Sequence, residues 1–246
     1  MSRCATERAS VVAISVAIAG GLLLKRYYAQ AGVGDLRWVL APSCWVAERL
    51  GGSSFAWDES AGYVNDGARM VVGPACAGVN FLVVCWLALF LSCHATYPRL
   101  RDKLGLWAAS LGLAYLAAVA ANGARIALAA RLGHADFHAG IASHATVHRL
   151  LGVVVYSVAL LAACAAATRW LAASATPLPS RRYVVPLGCY LVIALAVPLA
   201  RHAFGEGASG LGVHVLQTFA GVAAVAASAW LCERLVDRLS SRRARS

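Results

Sequence analysis

Long apolar runs separated by short polar segments make up most of the chain. Six runs approach or reach the roughly 20 residues that a helix needs to cross a bilayer. They cover residues 10–24, 74–93, 104–121, 150–167, 183–200 and 211–232. Ten-residue segments of alternating polarity, which would indicate a barrel, do not occur. The pattern therefore predicts an all-α, polytopic membrane bundle of about six transmembrane helices.

The longest polar section, Lys25 to Val72, follows the first apolar run and is predicted to lie outside the membrane, as a periplasmic or extracytoplasmic segment. Within it, Asp35 to Leu50 mixes tryptophan and aliphatic residues with charged ones, which favours an amphipathic helix on the membrane surface. A loop folded over the outer ends of the spans is the alternative. Farther on, Asn65-Asp66-Gly67 has turn chemistry and predicts a short strand pair between Phe55 and Met70.

Composition and charge agree with a membrane protein. Of 246 residues, 60% are hydrophobic and 13% charged, and the mean hydropathy is +0.67. With the N-terminus inside, the inner segments hold 13 of the 22 Lys and Arg but only 4 acidic residues. This positive-inside distribution explains most of the net charge of +11 without a nucleic-acid partner. Both termini are therefore predicted to be cytoplasmic, with the basic tail against lipid headgroups.

The first apolar run has two interpretations. Met1 to Leu24 has the basic start and apolar core of a signal peptide, and Ala29-Gln30-Ala31 resembles a cleavage site. Lys25 and Arg26 directly after the core argue instead for an uncleaved anchor helix, which we adopt as the expectation.

One cysteine stands at the beginning of an apolar run, in Gly73-Pro74-Ala75-Cys76-Ala77-Gly78-Val79-Asn80. Proline fits the first turn of a helix, so Cys76 is predicted to lie in that turn. The positive end of the helix dipole and the free N–H groups there would favour a reactive thiolate. The alternative is that Cys76 packs as a small apolar residue, as cysteines in spans usually do. A disulfide with Cys44 is a further alternative.

The third run ends in Asn122-Gly123-Ala124-Arg125-Ile126. Asn122 and Arg125 are three residues apart and hence on one helix face. An arginine at this position either snorkels to lipid headgroups or serves a polar site.

Four histidines, His134, His138, His144 and His148, precede and open the fourth run. They fall in pairs four residues apart, but no His-Glu-x-x-His motif accompanies them, so a metal site is not predicted. In an alternating bundle the beginning of the second span, the end of the third and the beginning of the fourth face the same side. Cys76, Arg125 and His148 are therefore expected at the outer face, as nucleophile, fixed cation and proton shuttle.

At these residues the sequence resembles the exosortase/archaeosortase family of membrane cysteine transpeptidases, and is most like the exosortase K branch. The matching motifs are Ala75-Cys76-Ala77-Gly78, Asn122-Gly123-Ala124-Arg125-Ile126 and His148-Arg149-Leu150-Leu151-Gly152, within about residues 70 to 167. His144 lies one turn before His148 and is an alternative for the family's histidine.

The resemblance implies a multi-pass enzyme of the bacterial plasma (inner) membrane, with its active site facing outward and with no cofactor or metal. Its substrate would be an exported protein with a C-terminal sorting signal, namely a transmembrane helix and a basic tail. Cys76, Arg125 and His148 would be catalytic, and Asn80, Asn122 and His144 are expected at the substrate. A non-enzymatic membrane transporter or assembly scaffold is the alternative function, and a metallopeptidase the third.

These expectations divide the chain into three parts. Residues 1–72 form an N-terminal anchor helix and an outer amphipathic segment, and residues 73–167 form the catalytic membrane core. Residues 168–246 form a C-terminal helical hairpin and a basic cytoplasmic tail.

Overall fold

The structure is a computed structural model. It describes residues 3–67, 69–133, 144–171 and 186–191 and positions 215, 218, 219, 222, 223 and 227. The side chains at 3–5, 133, 144–149, 168, 170 and 171 are not part of that description.

Up to residue 171, the described residues form five α-helices and three short strands. In chain order they are α1 (Arg3–Gln30), α2 (Arg37–Gly51), β1 (Ala56–Asp58), β2 (Gly62–Asn65), β3 (Met70–Val72), α3 (Val79–Cys93), α4 (Leu100–Gly133) and α5 (His144–Leu171). Single 3-10 turns lie at Gly34–Leu36, Pro74–Cys76 and His94–Thr96.

Four helical segments in the described part of the chain are long and apolar enough to cross a membrane. They span Thr6–Gln30, Pro74–Thr96, Leu100–Leu132 and Leu150–Ala167. The first four predicted spans are thus confirmed as helices of membrane-crossing length. The last two fall largely outside the described residues, although residues 186–191, within the fifth, are helical.

Helices α1, α3 and α4 pack side by side with alternating direction. Gly20 of α1 lies against the Trp86 ring of α3, where a Cβ would come within 2.7 Å. The Trp86 indole N–H in turn donates to the Trp107 carbonyl of α4 at 3.1 Å. Nearer the other end of the same helices, the Lys25 ammonium donates to the Asn80 side-chain carbonyl. Helix α3 therefore runs antiparallel to both α1 and α4.

Helix α5 continues the alternation. Its Tyr156 ring stacks on Phe81 of α3 with centroids 4.6 Å apart, and its hydroxyl reaches Asn122 of α4. One end of the bundle therefore contains the last turns of α1, the beginning of α3, residues 122–125 of α4 and the first turns of α5. We call it the Cys76 end, and the opposite end, with Lys103, the Lys103 end.

Helix α2 confirms that the predicted amphipathic segment is helical, and it packs lengthwise on the second half of α4, while its position on a membrane surface stays a prediction. The Tyr115 hydroxyl donates to the Trp38 carbonyl at 2.8 Å, and Arg131 donates to the Leu50 carbonyl at 2.6 Å. Between them, Gly123 leaves room for Val46, since a Cβ there would come within 2.6 Å of it. The two helices run in the same direction along this contact, which covers the Cys76 end on one side.

The three strands form one antiparallel sheet in the order β1-β2-β3. The predicted turn at Asn65-Asp66-Gly67 is confirmed, because Asn65 pairs with Met70 across it. Strand β1 is an addition to the predicted pair. Its turn into β2 is held by the Asp58 carboxylate, which accepts hydrogen bonds from Ser60 and Ala61 that lower the pKa of Asp58. Strand β3 leads at Val72 directly into the segment that carries Cys76.

Candidate active site

Cys76 lies in a separate 3-10 turn, Pro74–Cys76, rather than in the first turn of the α3 helix. Gly78 follows in the left-handed conformation, with φ of 73°, and α3 begins at Val79. This corrects the predicted position of the thiol. Glycine interrupts the helix at low cost because it has no Cβ. The Cys76 N–H is also engaged, since it donates to the Gly73 carbonyl at 2.9 Å.

Asn122 of α4 holds this turn. Its side chain is fully buried, and its Nδ2 donates to the Cys76 carbonyl at 2.7 Å. Its Oδ1 accepts from Arg125 Nε at 3.3 Å, from Arg125 Nη2 at 3.1 Å and from the Tyr156 hydroxyl at 2.9 Å. Donors on one side and an acceptor on the other fix the orientation of the amide. In this structure Asn122 positions the Cys76 turn, and its contact with a substrate stays a prediction.

Arg125 extends into the bundle, with only 6% of its surface exposed. Its Nη2 lies 3.5 Å from the Cys76 carbonyl, and its guanidinium carbon is 5.6 Å from the centre of the Tyr156 ring. A snorkelling arginine would instead place its head group in the water or lipid headgroups. The structure thus brings the predicted cation next to the residue that carries the predicted nucleophile.

The predicted histidines belong to α5 or precede it. His144 and His148 are backbone positions in its first two turns, whereas His134 and His138 lie outside the described residues. Gly152, one turn after His148, faces Arg125, because a Cβ there would lie 3.8 Å from Arg125 Cδ. The first turns of α5 therefore reach the Cys76 end. The choice between His144 and His148 stays a prediction.

The thiols near this end differ in burial. Cys76 is half-buried, whereas Cys44 of α2 is buried, and both are free, so the structure contains no disulfide between them. Burial, with the nearby Glu48 and Cys76 as smaller causes, raises the pKa of Cys44 to about 12. Cys44 is therefore a protonated, unreactive thiol at neutral pH, since the thiolate is the nucleophilic form.

Asn80, a predicted substrate residue, lies exposed at the beginning of α3. Its side-chain carbonyl accepts a hydrogen bond from Lys25 of α1. This hydrogen bond joins α1 to α3 one turn beyond Cys76. The contact of Asn80 with a substrate stays a prediction.

Sequence reasoning missed two tyrosines at this end. The Tyr28 hydroxyl of α1 donates to the Pro74 carbonyl at 2.9 Å, and the Tyr156 hydroxyl of α5 donates to Asn122. Tyrosines near span ends are usually interface anchors, so the sequence contained no specific signal for this role.

Comparisons of the chain with known protein families, with curated proteins and with solved structures find no match. The activity suggested by the three motifs is therefore a matter for proposal.

Proposed function

We propose that the protein is a membrane-embedded cysteine peptidase or transpeptidase that cleaves C-terminal sorting signals of exported proteins at the outer membrane face. The observation that carries the proposal is the hydrogen-bonded contact of Asn122 and Arg125 with the Cys76 carbonyl. Two motifs 46 residues apart in the sequence thus meet at one end of the bundle.

The arrangement supports a nucleophilic role for Cys76. Its side chain is half-buried. The turn that carries it is held by α1 and α4, and the Arg125 guanidinium contacts the Cys76 carbonyl. A nearby cation stabilises a thiolate relative to the thiol. The four other free cysteines in the membrane core and α2, namely Cys44, Cys85, Cys93 and Cys164, are buried.

The proposed reaction begins when the Cys76 sulfur, its proton taken up by His148, attacks the carbonyl carbon of the scissile peptide bond. The carbonyl oxygen becomes an oxyanion, which Arg125 stabilises with its N–H donors. The C–N bond then breaks, and His148 returns the proton to the leaving amine. The resulting thioester is resolved by water or by an acceptor amine, and in the proposed topology this step takes place outside the cytoplasm.

Processing of a co-expressed candidate substrate tests the proposal. The substrate should carry a C-terminal transmembrane helix and a basic tail, and its shortened form is followed by immunoblot. Cys76→Ala should abolish processing, whereas Cys44→Ala should retain it as the matched control on a neighbouring buried thiol. Unchanged processing in Cys76→Ala would rule out the thiol mechanism.

Alkylation with iodoacetamide separates the enzyme from the alternative of a non-enzymatic scaffold without any substrate. Cys76 should react, because its side chain is half-buried rather than enclosed and its thiol is free. Cys44, with a pKa of about 12, should stay unlabelled throughout. Equal inertness of the two thiols would favour a scaffold.

A further inference from the structure

We propose that Tyr28, in the first helix, is a positioning residue for Cys76, an inference that rests on the proposed function. Helix α1 would then be part of the active site in addition to being an anchor. The proposal follows from how the Cys76 turn is held.

The turn Pro74–Cys76 presents two carbonyl groups to side chains from different helices. The Pro74 carbonyl accepts from the Tyr28 hydroxyl at 2.9 Å, and the Cys76 carbonyl accepts from Asn122 Nδ2 at 2.7 Å. The first donor comes from α1 and the second from α4. Because a 3-10 turn of three residues has few hydrogen bonds of its own, these two side chains determine how the turn sits in the bundle.

The Tyr28 side chain is itself held in place. The Lys25 ammonium lies 5.5 Å from the centre of its ring and also donates to Asn80, four residues after Cys76. Contacts from one turn of α1 therefore reach the chain both before and after the thiol. Tyr28 is part of a clamp that fixes the beginning of α3 against α1.

Correct positioning matters because Cys76 must face the scissile carbonyl while Arg125 stays within reach of the oxyanion. Three side chains of the described residues donate hydrogen bonds to the carbonyls of the turn: Tyr28 of α1, and Asn122 and Arg125 of α4. A turn released at Pro74 would let Cys76 shift relative to Arg125, which misaligns the nucleophile and the oxyanion donor.

The test compares Tyr28→Phe with Tyr27→Phe in the full-length protein in membrane vesicles. Tyr27 is a matched control, because its hydroxyl also donates to a backbone carbonyl, that of Asp35, at 2.7 Å, but away from Cys76. The rate of iodoacetamide labelling of Cys76 at a fixed pH is followed by peptide-level mass spectrometry. Cys85, which is fully buried, reports folding, and rates are taken from molecules in which Cys85 stays unlabelled.

Tyr28→Phe should change the rate of Cys76 labelling at a fixed pH by roughly two- to tenfold, the scale of one lost hydrogen bond. In the processing assay it should lower kcat by roughly three- to tenfold with KM unchanged, on the same scale. Tyr27→Phe should match the wild type in both measurements. Equal behaviour of the two variants would overturn the positioning role, because then the hydroxyl contributes only general stability.

The two proposals fail separately. If Cys76→Ala leaves processing intact, the enzymatic function is wrong whatever Tyr28→Phe does. If Cys76→Ala abolishes processing while Tyr28→Phe and Tyr27→Phe remain alike, only the role of Tyr28 is wrong. Cleavage after Ala31 would remove Tyr28, so the N-terminal sequence of the mature protein is a second test, and a mature chain beginning after Ala31 would also overturn the role.

Discussion

Helix α4 carries two buried cations, and they differ in what they contact. Lys103, at its beginning, is fully buried and donates to the His94 carbonyl at 2.6 Å. Arg125, near its end, contacts a side-chain amide, an aromatic ring and the carbonyl of Cys76. His94 follows the end of α3, so Lys103 ties α3 to α4 in the manner of a helix C-cap.

Burial of a charge therefore does not by itself indicate function. Both cations are removed from solvent, and both satisfy backbone carbonyls. Only Arg125 contacts the backbone of a residue with a half-buried thiol, within a network that also includes Asn122 of α4 and Tyr156 of α5. The partner residue and its surroundings therefore distinguish a structural cation from a candidate catalytic one.

The largest expected effect comes from replacing one of these two cations by the other type of basic residue. Arg125→Lys keeps the charge but loses the planar fork of donors, so processing should fall by about 100-fold or more, the scale of a lost oxyanion donor. Lys103→Arg should leave processing near the wild-type rate. The measurement is the initial rate of substrate processing at matched protein abundance in the membrane. A full rate in Arg125→Lys would contradict the oriented role of the guanidinium.

Removal of the structural cation should affect stability more than chemistry. Lys103→Met deletes the donor to the His94 carbonyl and should lower the free energy of unfolding by about 1–3 kcal/mol. Labelling of Cys76 by iodoacetamide at a fixed pH should keep its wild-type rate, because the two ends of α4 are far apart. Unfolding in detergent, followed by tryptophan fluorescence, measures the first effect. A changed labelling rate would show that the two ends are coupled.

A smaller loss is expected at the glycine of the Cys76 turn. Gly78→Ala forces a Cβ into a left-handed conformation, which costs about 1–2 kcal/mol. The new Cβ would also lie 3.1 Å from Asn122 Cγ. Asn122 should shift, so the variant should be less stable and should label at Cys76 with an altered rate. Wild-type values for both would mean that the turn adapts without moving Asn122.

The smallest effect, of opposite sign, is expected at the Lys103 end. Gly105→Ala places a methyl group in open space on α4 and should stabilise the protein by about 0.5–1 kcal/mol. The same detergent unfolding measurement detects the gain. Destabilisation here would indicate that this face of α4 packs against a group outside the described residues.

Hydropathy predicted the architecture of the described part well, because burial in lipid demands long apolar helices whatever the side-chain detail. The four helices of membrane-crossing length contain the first four predicted spans entirely. The amphipathic segment was also recognisable, since Val39, Leu40, Cys44 and Ala47 share the face that packs into the core. The lengthwise packing of α2 on α4 depends on small residues such as Gly123. The sequence alone does not indicate which residue packs against that glycine.

The candidate site was predictable in its location and less so in its detail. Alternation of the spans brought Asn122 and Arg125 to the Cys76 end, as the hydrogen bonds to Cys76 show. The interruption of the helix at Gly78 was missed because Pro74 favours a helix start and an apolar run follows directly. Tyr28 was missed because a single tyrosine gives no periodic or motif signal, and its partner is a backbone carbonyl that only tertiary structure supplies.

The length of α4 determines how far Arg125 would lie from the hydrocarbon layer. The helix contains 34 residues, and Arg125 lies 25 residues after its first residue, Leu100, which corresponds to about 38 Å along the axis. The hydrocarbon layer is only about 30 Å thick. An upright α4 beginning at one hydrocarbon boundary would hold Arg125 about 8 Å beyond the other, at the level of the lipid headgroups. Under the proposed function, a substrate anchored by its own membrane helix would be cleaved at a fixed distance from the hydrocarbon layer. The number of residues between its scissile bond and that helix would then determine whether it is cleaved.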